Sequence, residues 1–548
     1  MKKITALILS LAMLLSLAAC GSGNDSEAGS VGSTGTKPTA QANAAEPEQN
    51  APAANASAVD AQPVSSGPRT LRIGTTESSG SFDPWSGTSG PQNYLAFETI
   101  TMRTGSGEYE PWLAESVEWV DDTTMEIKLR DDAKFANGEP VLGEDIVYTF
   151  EKSATGTSVM AVHFSVIDFE KSTVSDDGLT VDFKLKQPYG PLMAYLDIPY
   201  VVDKSQCEDW DSNDERWWDS PPTSSAYEIT ENVSGSHTTF KLREDYWNKD
   251  RMPDWDEIII NYYSDPTAMF IAFENDELDL VLGVSNNDIG RLESGSVQNA
   301  ENVAYELKAS NAAYLFCMSD SREEFHDPKV REAIANVIDC DAVGQVAFGG
   351  YYELCDSVIC SGTKYYKSCG TYDKGVDYAK ECMAESKYPD GFAINVVSTE
   401  GDAPIWEVVQ DSLSKIGITV NVSTYDMATC IPMWMEEGGT DAMVMTCAGG
   451  NMTGEPYADL SANWKNGQLK AARVMDEEYN ELFEKFVYNT DDATRKEYCE
   501  KVQQWLYDNC QCIPLAQPSY CFAYRSDRIS SCDFFSGTRA NMLYCHAK

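Results

Sequence analysis

The sequence predicts a multi-lobed α/β protein. Three observations carry that expectation. The stretch from about Pro68 to Lys548 is too long for one compact core. Its first half alternates apolar and polar residues in hairpin-like runs. Its second half alternates strand-like and helix-like segments, the mark of a parallel sheet. Ligands of such folds sit at the carboxyl ends of parallel strands or between lobes.

The hairpins come first. Val117–Arg130 alternates at Met125, Ile127 and Leu129 after a polar turn at Asp121-Asp122-Thr123. Ser172–Lys186 repeats the design with Val181, Phe183 and Leu185 after Asp176-Asp177-Gly178. Both are antiparallel signals. "HTTFKLRED" and "DEIIINYYSD" read as strands on either side of Tyr246-Trp247, and a short helix from Thr267 precedes a strand at Leu278–Leu282.

In "DPKVREAIANVID", Asp327 is placed to cap a helix with Pro328 at its first position; Val330, Ala333, Ile334 and Val337 form its apolar face. A βαβαβ pattern follows. "FAINVVST" is a strand, Ala403–Lys415 a helix ending near Gly417, and "ITVNVST" a strand. Met427–Glu437 is a helix ending at Gly438-Gly439, and "DAMVMTC" a third strand of the expected parallel sheet. Two helices are predicted near Asp476–Tyr488 and Ala493–Asp508, and a strand-rich "SYCFAYRSDRI" follows them.

The chain starts with two lysines, then an apolar run to Ala19 and "LAAC" at Cys20. A basic start, apolar middle and small-residue exit is the layout of a secretory signal. The run is short for a membrane span, which needs about 20 apolar residues. From Gly21 to Gly67 the chain has no aromatic residue and almost nothing branched and apolar. It cannot bury enough surface to offset the entropy of ordering it, so it reads as a flexible tether. A coil of about 47 residues spans roughly 40 Å root-mean-square.

The formal net charge is −46, which argues against nucleic acid as a partner because that needs basic stripes. The carboxylates are scattered, as solubility requires. There are 12 Trp and 28 Tyr, enough for cores and for an aromatic-lined cleft. After Cys20 fifteen cysteines remain, an odd number, and all but Cys207 lie at or beyond Cys317. Cys355, Cys360 and Cys369 are close enough in sequence for a local bridge, as are Cys510 and Cys512. Most of the rest read as small buried apolar residues. With four scattered His and no paired CxxC, neither a metal nor any other cofactor is expected. No GxSxG, HExxH, GxxxxGK[ST] or strand-linked GxGxxG stands in the chain. Paired carboxylates exist, but with 87 acidic residues chance supplies them. The reading is a binder and not an enzyme.

Leu113–Ser153, "LAESVEWVDDTTMEIKLRDDAKFANGEPVLGEDIVYTFEKS", resembles the signature block of the bacterial extracellular solute-binding proteins of family 5, the oligopeptide, dipeptide and nickel receptors of ABC importers. "LRIGTTESSGSFDPW" (Leu71–Trp85), "TAMFIAFENDELDLV" (Thr267–Val281), the stretch Asn311–Val343 and "CIPLAQPSYCFAYRSDRI" (Cys512–Ile529) resemble other family pieces, in family order. "LAAC" before Gly likewise resembles the bacterial lipobox, which implies cleavage before Cys20 and lipid on that residue; buried acyl chains then hold the protein at a bilayer.

The resemblance implies a type II periplasmic-binding-protein fold with an additional third lobe. Its boundaries would be 1–19 for the signal and 20–67 for the lipidated Cys and tether. Lobe I would be built from 68–110, 222–308 and 513–548, lobe II from 111–221 and lobe III from 309–512. The function implied is a monomeric, lipid-anchored receptor on the extracytoplasmic face. It would close on a peptide or peptide-like solute and pass it to an ABC permease and its ATPase. An oligosaccharide stacked on Trp85, Trp406 or Trp434, a metal complex, or a secreted hydrolase are the alternatives. Ligand contacts carried from the resemblance are Ser79, Phe82 and Trp85 after the first strand, Tyr314, Trp406, Cys447, Gly450 and Asn451. Two departures stand out. The family's Gly-Thr-Gly-Pro-Tyr turn reads Thr223-Ser224-Ser225-Ala226-Tyr227. The peptide-anchoring Asp, which pairs with an α-ammonium, falls on Gly449 or Gly450, leaving Glu455 as a substitute or a ligand other than an ordinary peptide.

Overall fold

In the computed structural model, the residues described are 69–77, 81–85, 91–104, 108–155, 161–212, 214–219, 221–310, 312–447, 453–534 and 540–548. The expected signal and tether, Cys20, Ser79, Gly450 and Asn451 lie outside them.

One strand organises the molecule. Cys512–Arg525 is 14 residues long and belongs to both halves of the largest sheet. Its first part pairs antiparallel with Ala313–Met318, which in turn pairs with Ala442–Cys447. Its second part pairs with Leu280–Leu282 on one side and Val303–Ala309 on the other. Beyond Leu280–Leu282 the sheet continues through Thr70–Thr75, Glu257–Tyr262, His237–Leu242 and Tyr227–Val233. Thr70–Thr75 is parallel to both of its neighbours, so its carboxyl end opens into the loop that carries Phe82 and Trp85. A second contact between the halves lies at Ser310. There the Ser310 N–H donates to the Pro518 carbonyl at 2.8 Å, and the Gln517 amide nitrogen donates to the Ser310 carbonyl.

The predicted hairpins form a separate four-stranded sheet, Ala114–Asp121, Thr124–Leu129, Thr180–Lys184 and Thr173–Val174. Met125, Ile127 and Leu129 point into the core, as alternation requires. The helix Pro328–Val337 starts as its sequence dictates: Asp327 accepts the Lys329 N–H at 2.9 Å, and Val330, Ala333, Ile334 and Val337 are buried.

The βαβαβ expectation holds for two strands. Phe392–Ser398 and Ile418–Thr424 are parallel, joined by the helix Ala403–Ser414. Ala442–Cys447 instead pairs antiparallel with Ala313–Met318 in the large sheet. The residues before it explain the change. The Asp441 carboxylate accepts the Asn395 N–H at 2.8 Å and the Thr440 hydroxyl accepts the Val397 N–H at 3.0 Å. Side chains thus take the ladder positions that a third parallel strand would need.

The local bridges envisaged among Cys355, Cys360 and Cys369, and between Cys510 and Cys512, are not present in the structure, where all five are unbridged. A disulfide joins Cys532 to Cys545 across the hairpin Ile529–Phe534 and Ala540–Ala547. Most other described cysteines are buried, as their apolar character predicts. Among the described residues no helix is long and apolar enough to cross a membrane.

Candidate functional site

The loop after Thr70–Thr75 is ordered by Asp83, which accepts the Trp85 N–H at 2.8 Å and the Ser212 hydroxyl at 2.7 Å. Trp85 packs edge-on against Trp217 and Tyr148, and Phe82 against Phe97 and Phe240. A short helix, Pro91–Ala96, follows and is buried along its described side chains. Two of these are amides, Gln92 at 1 % and Asn93 at 0 % exposure. Among the described residues, neither the oxygen nor the nitrogen of either amide has a hydrogen-bond partner.

Just beyond, Glu98 ties this segment to its surroundings. Its carboxylate accepts N–H groups from Trp112 (2.9 Å) and Trp247 (2.8 Å) and the Tyr246 hydroxyl (2.6 Å). Burial nevertheless raises it to about 7, because desolvation outweighs those three donors and nearby Arg243.

Thr453 and the residues that follow it meet the first half of the chain. The Tyr109 hydroxyl donates to the Thr453 carbonyl, joining the two halves directly. Gly454 has φ +67 and faces the Arg103 guanidinium so closely that a Cβ would lie 2.5 Å from Nη2. His163 stacks on Tyr195 with ring centroids 3.5 Å apart, lies 2.7 Å from the Tyr189 hydroxyl through Nδ1, and meets Tyr457 edge-on. Burial pushes the His163 imidazole down to about 3, so it is neutral at pH 7. Burial lifts the hydroxyls of Tyr109, Tyr189 and Tyr195 well above their usual range, and the charge of Glu455 adds to this in all three.

Glu455 is engaged from both sides. It accepts the Tyr457 N–H at the start of Pro456–Leu460, and it pairs with Arg495 at 2.6 and 3.3 Å. The side chains are 1 % and 5 % exposed. The pair therefore holds two segments together and is not an open anchor for an ammonium. Gly190 makes room for it: a Cβ there would lie 2.0 Å from the Asn489 carbonyl oxygen and 2.3 Å from Arg495 Nε.

Phe82, Trp85 and Cys447 belong to one apolar cluster, which runs from the first half of the chain into Tyr457, Phe483 and Cys499 of the second. Tyr314 and Trp406 belong to another. Tyr314 packs on Phe348, and Trp406 donates its indole N–H to Ser398 Oγ at 2.7 Å. Trp434 likewise donates to the Val397 carbonyl at 2.9 Å, so Trp85, Trp406 and Trp434 are all buried and the indoles of Trp406 and Trp434 are committed to their own cores. Sequence reasoning missed Gln92, Asn93, Arg103, Tyr109, His163 and Tyr195. The available signal was "QNYLAF", two adjacent amides leading into an apolar run.

The family model of the bacterial extracellular solute-binding proteins, family 5 middle region, matches residues 108–471. The chain belongs to this family. Among curated relatives it is 22 % identical over 341 residues to the nickel-binding protein NikA of Staphylococcus aureus, covering 61 % of this chain and 66 % of that one. It is 26 % identical over 324 residues to the probable peptide-binding protein YejA of Agrobacterium fabrum, covering 54 % and 49 %. The match thus spans about half to two thirds of these relatives' length. Among solved structures, the ABC transporter substrate-binding protein CtaP of Listeria monocytogenes superposes with a TM-score of 0.76 at 19 % identity, over 87 % of this chain and 99 % of that one. The fold is the family's periplasmic-binding-protein fold. Within the family, the described residues contain no group of three or more His, Cys, Asp or Glu side chains placed to hold a metal ion.

Proposed function

We propose that this chain is the lipid-anchored, extracytoplasmic substrate-binding component of an ABC importer, and that it takes a peptide or peptide-like solute. The family supports the importer role. Three lobes with the boundaries given above would close on the solute, a hinge movement driven by higher affinity for the closed state. Cys20 would carry the lipid, and the segment to residue 67 would let the receptor reach its permease.

The observation that carries the ligand class is the pair of partnerless amides, Gln92 and Asn93. Buried polar groups are hydrogen-bonded in folded proteins, and each one left unmade costs about 1–3 kcal/mol. Each amide offers both a donor and an acceptor, the same pattern that a peptide backbone presents in reverse. The test is native mass spectrometry of the mature chain with its co-purified ligand. A ladder of peptide masses is the expected result. A hexose series or a bound metal would overturn the ligand assignment while leaving the receptor role intact.

A further inference from the structure

The one disulfide among the described residues joins Cys532 to Cys545, which face each other on antiparallel neighbouring strands. The same arrangement recurs at the start of the crossing strand. Cys317 and Cys512 are directly opposed in the pairing of Ala313–Met318 with Cys512–Arg525. Their sulfurs lie 2.9 Å apart. That is closer than the about 3.5–4.0 Å at which even carbon atoms rest in contact. Directly opposed residues on antiparallel strands have Cα atoms about 4.5–5.5 Å apart, inside the about 4.4–6.8 Å that a disulfide spans. Both side chains are buried, at 1 % and 0 % exposure, so neither sulfur is positioned for surface chemistry once the protein has folded.

We propose that Cys317 and Cys512 form a cross-strand disulfide in the exported protein, fixing the first residue of the crossing strand to its neighbour. The family is extracellular, a setting where disulfides form and persist. The oxidant is a small-molecule or protein disulfide met before the strand is buried. One cysteine thiolate attacks that disulfide, giving a mixed disulfide and expelling one thiolate. The second cysteine thiolate attacks the mixed disulfide, forming the Cys317–Cys512 bond and expelling the other. The two thiol protons end on the two released thiols.

The bond spans a sequence separation of 195 residues, and the chain-entropy effect of a cross-link grows with the logarithm of the loop it closes. Its place matters for movement. The crossing strand runs from one half of the molecule to the other, and its lobe III end would be held by a covalent bond. Relative motion of the halves is then taken up near Ser310 and Gln517 instead of by sliding of the strand.

The test uses the full chain, exported into an oxidising compartment, denatured in N-ethylmaleimide and digested without reduction. The expected product is a linked peptide joining the segments that hold Cys317 and Cys512, which disappears on reduction. Alkylation of both cysteines, or linkage of either to another cysteine, overturns the proposal. A second measurement compares thermal midpoints with and without dithiothreitol. Reduction is expected to lower the unsubstituted chain by several degrees more than it lowers C317A/C512A, which keeps Cys532–Cys545. Equal falls overturn it. If the double variant does not fold, the peptide map of the unsubstituted chain decides alone.

Discussion

Replacing Glu98 by Gln is expected to flatten the pH dependence of stability between pH 5 and 8. Glu98 is fully buried and raised from its ordinary 4.5 to about 7. The folded chain therefore binds a proton more readily than the unfolded chain. The stability this contributes is complete below about pH 4.5 and is lost as pH rises through 7. One pKa unit corresponds to about 1.4 kcal/mol, so the two values give a loss of about 2–3 kcal/mol between pH 5 and 8. Glu98→Gln removes the titration. It also turns an amide nitrogen toward one of the donors Trp112, Tyr246 or Trp247, a pH-independent cost of about 1–3 kcal/mol. The assay is urea unfolding followed by tryptophan fluorescence at half-unit steps of pH. The variant should start less stable at pH 5 and converge on the parent by pH 8. Parallel curves would refute the argument, because they would mean that Glu98 titrates alike in both states.

Four further outcomes follow from the same structure. Gln92→Leu with Asn93→Leu should leave thermal stability unchanged or raised, while weakening binding of the co-purified ligand at least tenfold by calorimetry; unchanged binding removes these amides from the site. Arg495→Met leaves Glu455 buried without its cation and should cost about 3–5 kcal/mol in urea unfolding, most of it restored when Glu455→Leu is added. Gly190→Ala puts a methyl into the Asn489 carbonyl and Arg495, and a destabilisation of about 2 kcal/mol or more is expected from the midpoint shift. Cys20→Ala should release the protein from membrane fractions with ligand binding intact, and continued sedimentation with membranes would refute the anchor.

Features set by neighbours in sequence were legible. Asp327 next to Pro328 announced a helix start, and alternation announced the hairpin at Met125, Ile127 and Leu129, because capping and pleating act within a few residues. Asp327 also accepts the Lys387 N–H, 60 residues away, and nothing local signals that. The strand Ala442–Cys447 was legible as a strand but not in its partner, since Thr440 and Asp441 decide it through contacts with Asn395 and Val397. Cysteine pairing was hidden for a related reason: register, not spacing, brings Cys532 to Cys545. The loop carrying Phe82 and Trp85 was legible as the loop after the first strand, and both side chains are buried in one apolar cluster. Gln92 and Asn93 were not, because a missing partner is a property of the assembled surroundings and leaves no trace in composition.

The crossing strand Cys512–Arg525 also dictates an order of assembly. Leu280–Leu282 finds one of its two neighbours only at Phe522–Tyr524, and Ala313–Met318 finds one of its own only from Cys512 onward. Neither half can complete its sheet until residues 512–525 have been synthesised. Such late, long-range closure keeps the nascent chain open and slow to fold. The export proposed above makes that delay useful, because the central sheet stays open until the crossing strand Cys512–Arg525 is delivered.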